Sequence, residues 1–97
     1  MPTFIILAQW SDQGLRRDTE SPKRVRAFKE LAKKAGANVK EFFWTLGSHD
    51  MVTIVEAPDD ETITAIALSV DKLGNVRTET MRAFNEAEMS AIMKKVV

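Results

Sequence analysis

Apolar residues recur along this chain with two periods, one suited to strands and one to helices. Thr3 to Trp10 (TFIILAQW) is a short β-branched and aromatic run closed by Ser11-Asp12-Gln13-Gly14, the pattern of a strand leaving into a turn. Both of its faces are apolar, Phe4, Ile6, Ala8 and Trp10 on one side and Ile5 and Leu7 on the other, whereas a strand open to water alternates with polar residues. Something must therefore cover each face. Ser11 to Glu20 is polar and reads as a long connecting loop in which Gly14 is free to take positive φ. Ser21-Pro22 then opens a helix, with Ser21 capping free amides and Pro22 giving up a donor that has no partner in the first turn. Val25, Phe28, Leu31, Ala32 and Ala35 form one stripe, and Gly36 supplies the stop.

Asn38 to Leu46 (NVKEFFWTL) is a second strand, joined through the turn Gly47-Ser48-His49-Asp50 to a third, Met51 to Ala57, so the two make a hairpin. Either Asp of Pro58-Asp59-Asp60 can cap a second helix that turns Ile63, Ile66, Ala67, Val70 and Leu73 inward and ends at Gly74. Asn75 to Phe84 reads as a fourth strand. Asn85, with Glu88 behind it, then starts a last helix bearing Met89, Ile92, Met93 and Val96. The order β-α-β-β-α-β with an added C-terminal helix predicts an α+β, ferredoxin-like fold: a four-stranded antiparallel sheet with two helices on one face. The other face would leave a wide apolar surface wet, which predicts sheet-to-sheet pairing with a second copy, a homodimer, unless the last helix covers it.

Composition narrows the function classes. The 97 residues suit one domain spanning 1–97, and 44% hydrophobic against 29% charged is an ordinary globular balance. Fourteen Lys and Arg oppose fourteen Asp and Glu, so no net field draws in nucleic acid or an anionic membrane. The absence of Cys removes disulfides, thiolate chemistry and Cys-based metal sites. Met1-Pro2-Thr3-Phe4 is not a basic leader, and no apolar run approaches the roughly 20 residues that span a bilayer, so the expected location is cytoplasmic.

The single histidine, His49, stands beside Asp50 where a strand meets a turn; such a pair can move a proton, or Asp50 can simply bond its own turn backbone. No spacing suits a metal, no Gly-rich loop suits a phosphate, and no cofactor is expected. Charges inside the fourth strand are more informative. Arg77 and Glu79 share one strand face, and a covered Arg must find a partner: a structural Arg–Glu pair, or a carboxylate or phosphate ligand flanked by Asn75. Trp10 and Trp44, with Phe42 and Phe43, read as core or as the wall of a pocket.

At Gln9-Trp10-Ser11-Asp12-Gln13-Gly14, Phe43-Trp44-Thr45-Leu46-Gly47, Glu56-Ala57-Pro58-Asp59 and Gly74-Asn75-Val76-Arg77-Thr78 the chain resembles the GYD domain family over nearly its whole length. That resemblance implies a small protein of the dimeric α/β-barrel type, and it implies no catalytic residue. The family's Gly followed closely by Tyr-Asp falls on Gly47, His49 and Asp50, so His replaces the Tyr here. Three functions are open at this point. One is a homo-oligomer holding a small polar or aromatic metabolite near Trp10, Trp44, His49, Asp50, Asn75, Arg77 and Glu79. Another is a cofactor-independent enzyme using His49 and Asp50 for proton transfer, and the third is a structural or interaction subunit.

Overall fold

A computed structural model describes residues 1–97. Strand β1 (Thr3–Trp10) leads into a short helix α1 (Asp12–Arg16), a 3₁₀ turn (Asp18–Glu20) and the long helix α2 (Ser21–Lys34). The hairpin β2 (Asn38–Trp44) and β3 (Met51–Glu56) follows, then α3 (Asp60–Asp71), β4 (Val76–Ala83) and α4 (Glu86–Met93). The sheet order β2-β3-β1-β4, antiparallel throughout, is the ferredoxin-like arrangement.

Alternation along the strands separates two surfaces. Phe4 and Ile6 of β1 and Met51, Thr53 and Val55 of β3 are buried under the helices, with Ile63 and Ile66 of α3 and Ala32 of α2 closing over them. The intervening residues point the other way, where no element lies. In register across the sheet, Phe43, Val52, Leu7 and Glu79 make one row, and Glu41, Ile54, Ile5 and Met81 the next. Phe43 is 51% exposed and Met81 40%.

Several expectations are corrected. The segment Ser11–Glu20 is ordered as α1 and the 3₁₀ turn rather than as an irregular loop, because the Ser11 hydroxyl accepts from the Gly14 N–H and caps α1. Gly14 is not among the glycines with positive φ. It is needed for space instead: a Cβ there would stand 1.8 Å from the carbonyl oxygen of Asn75. Ser21 does not cap α2. The 3₁₀ turn already delivers a helical backbone, with the Ser21 N–H donating to Asp18, so the helix begins at Ser21 itself. Strand β2 stops at Trp44 because Thr45 closes the hairpin, its N–H donating to the Asp50 carbonyl at 2.8 Å and its hydroxyl to that of His49 at 2.7 Å; Leu46 is left fully exposed. Leu73 lies beyond the end of α3 and is exposed rather than turned into the core.

Two local devices complete the frame. The register of β2 on β3 jumps from Val39 to Glu41, so Lys40 is bulged, and the buried Thr53 hydroxyl donates to the Glu41 carbonyl at 2.7 Å beside the irregularity. At the far end, Asn85 and Glu88 form the full reciprocal capping box of α4. No residue of α4 is buried, and Phe43 and Met81 on the open sheet face stay exposed. Arg82 ties it to the body, its Nη2 donating to Glu88 Oε2 at 3.1 Å while the guanidinium lies over the rings of Phe84 and Phe4.

Candidate functional site

Helices α2 and α3 are splayed over the sheet and leave a groove of about 200 Å³ between them. Its floor is Ile6, Ala8, Met51, Thr53 and Thr78, and its walls are Val25, Phe28 and Leu31 of α2 facing Ala67, Val70 and Leu73. Ala67 on the α3 side carries only a methyl group into this space. The volume is below the 300 Å³ or so typical of metabolite pockets. At about 30 Å³ per water-sized group it has room for roughly seven such groups.

Polar groups in the lining are mostly engaged. The Thr53 hydroxyl is spent on Glu41, the Thr78 hydroxyl donates to the Asp71 carboxylate at 2.9 Å, and the Ser21 hydroxyl accepts the indole N–H of Trp44 at 2.9 Å. Asn75 uses its carbonyl oxygen to accept from Gln13 at 2.9 Å. Arg24 is the exception. Its Nη2 donates to the Arg17 carbonyl, but Nη1 is sealed from solvent and has no partner. Arg24 falls on the inward stripe of α2, four residues before Phe28, so the helical period is the signal that marks it, and sequence reading passed over it.

The residues singled out from sequence are divided by the sheet. Trp10 and Asn75 line the groove, and Trp44 adjoins it through Ser21. Arg77 and Glu79 lie on the opposite, open face, opposite Gln9 and Leu7 respectively. His49 is with them: its Nε2 stands 3.8 Å from Glu79 Oε2, and its Nδ1 is 3.3 Å from the Ser48 hydroxyl. His49 and Asp50 are not brought together. The Asp50 carboxylate accepts the backbone N–H of Trp10 at 2.9 Å while the Asp50 N–H donates to Ala8, so this residue clamps the hairpin to β1. Within the chain the Arg–Glu pair made by β4 is Arg82–Glu88, which joins the strand to α4 and not to another strand.

A match to the GYD domain model runs over residues 4–93. The chain belongs to the GYD domain family. A Thermus thermophilus protein named "Glutamine synthetase and cystathionine beta-lyase binding protein" is 34% identical over 95 residues, covering 97% of this chain and all of that one. A crystal structure of a Thermus thermophilus protein superimposes with a TM-score of 0.57 at 26% identity, over 88% of this GYD chain and 95% of the other. The Mycobacterium tuberculosis leucine response regulatory protein gives a TM-score of 0.65 at 15% identity, 87% of this chain matching 51% of that one, a likeness of fold alone.

Proposed function

We propose that this GYD protein is an interaction subunit: two copies pair sheet to sheet, and the pair docks on a metabolic enzyme in the cytoplasm. The observation that carries the reading is the contiguous apolar band of Ile5, Leu7, Val52, Ile54, Phe43 and Met81 on a sheet face that no element of the chain covers. Water contact with a band of that extent is unfavourable, and a second sheet face of the same kind is a fitting cover. The full-length likeness to a Thermus protein named for binding glutamine synthetase and cystathionine β-lyase supports the enzyme-docking half. Arg77, Glu79 and His49 lie at the polar end of the band, so pairing would enclose two copies of this set. A small polar metabolite held between the sheets would meet those side chains, and His49→Ala or Arg77→Ala would then weaken its retention without lowering Tm.

The test is sedimentation of the wild-type and Ile54→Lys proteins at micromolar concentration, followed by binding to purified glutamine synthetase and cystathionine β-lyase from the same organism. The wild type is expected to sediment as a dimer and bind an enzyme; Ile54→Lys is expected to be a folded monomer that does not. A wild-type monomer would overturn the pairing, and a dimer that binds neither enzyme would overturn the docking.

A further inference from the structure

We propose that the groove between α2 and α3 binds a small apolar carboxylic acid, its hydrocarbon lying between the helices and its carboxylate on Arg24. The shape of the lining selects an apolar body. Aliphatic and aromatic side chains make up both walls, and the hydroxyls of Thr53, Thr78 and Ser21 are already committed within the fold, so a ligand rich in hydroxyls or amides would bury polar groups unpaired.

One charge is left over, and it is positive. A guanidinium stays protonated in proteins, and an N–H donor of it cut off from both water and a partner is costly. The two half-buried arginines of this chain are handled differently. Arg82 has the Glu88 carboxylate, two backbone carbonyls and two aromatic rings. Arg24 has no carboxylate within salt-bridge distance, a single carbonyl at Nη2, and an orphan Nη1. A carboxylate in the groove would complete a two-toothed pair once the guanidinium turns Nη1 towards it, and the unused amide nitrogen of Asn75 lies on the same lining as a further donor. Room for roughly seven water-sized groups suits a short acyl chain or a single aromatic ring.

The groove and the pairing face are on opposite sides of the sheet, so this proposal is separable from the preceding one. Calorimetric titration with hexanoate, phenylacetate, hexan-1-ol and hexylamine provides the test, with the Trp10 emission of a Trp44→Phe variant as a local reporter. One or both acids are expected to bind saturably, about tenfold or more tighter than the alcohol, with the amine rejected. Preference between the acids tells an acyl source from an aromatic one. Arg24→Gln is expected to abolish the preference for acid over alcohol, and Ala67→Leu, which fills the groove away from the charge, to abolish binding of both at equal or higher Tm. Ile54→Lys is expected to keep acid binding. Equal affinity for acid and alcohol, acid affinity unchanged in Arg24→Gln or in Ala67→Leu, or no binding by any of the compounds would overturn the proposal.

Discussion

Gly14 and Ser21 show how single side chains fix the approach of α1 and α2 to the strands. With the Asn75 carbonyl occupying the volume of a would-be Cβ, Gly14→Ala must push α1 off the turn before β4, where the Ser11 N–H also donates to Asn75 at 3.0 Å. Overpacking against rigid backbone costs about 1–3 kcal/mol, and urea unfolding is expected to show a loss in that range. Ser21, buried at 5% exposure, is the acceptor for the Trp44 indole. Ser21→Ala leaves that N–H without its partner and is expected to cost about 1 kcal/mol, accompanied by a red shift of Trp44 emission as the ring loosens. Neither role was legible in sequence. The Gly14 contact is made by a residue sixty-one positions away, and Ser-Pro before an apolar stripe is a cap signal in most chains.

At the scale of elements, helix starts hold the charges that respond to pH. Asp59 caps α3, and the Thr62 hydroxyl and backbone N–H, the latter at 2.8 Å, hold its carboxyl below the ordinary range. Glu88 is lowered first by the Asn85 N–H and then by Arg82. For both groups the folded form binds a proton less readily than the unfolded one. Their stabilisation is therefore complete above the ordinary carboxylate range, near pH 4–5, and is lost as the pH falls through the lowered folded values. Thermal unfolding from pH 6 to pH 3 is expected to show Tm falling, with a shallower fall in Asp59→Asn, which keeps a capping oxygen but cannot ionise. An Asp cap on α3, left open between Asp59 and Asp60, the box at Asn85 and the extent of β1 were readable because each is a local rule acting on neighbouring residues. The end of β2 and the partner of Arg82 were not, since a hydrogen bond across a hairpin decides the first and the direction of α4 decides the second. The candidate site was half legible for the same reason: alternation told which residues share a face of β4 but not that the sheet would divide Trp10 and Asn75 from Arg77, Glu79 and His49.

The whole molecule is thin in one direction and long in another. The shortest axis is 19 Å, enough for one sheet and one layer of helices, and the longest is 49 Å. The radius of gyration is 14.5 Å, against about 12.5 Å for a compact chain of this length. Any third layer over the open sheet face would come from outside the chain. If a second copy supplies it, Tm rises with protein concentration, because dissociation is coupled to unfolding by mass action. Burying a lysine in the seam is expected to lower self-affinity about hundredfold or more, so Ile54→Lys should melt at a Tm independent of concentration. A wild-type Tm that does not move over a hundredfold range of concentration would argue against the second copy.

The bulge at Lys40 bears on how such growth would end. Strand β2 is an outer strand of the sheet, and an outer strand that is flat and apolar invites another chain to add on, then another, towards a fibril. Here that rim is kinked and carries an ammonium group 3.7 Å from Glu56, while the opposite rim alternates Arg77, Thr78, Glu79 and Thr80. Both margins therefore disfavour lateral strand addition, and aggregation by that route is expected to be slow even when the protein is concentrated.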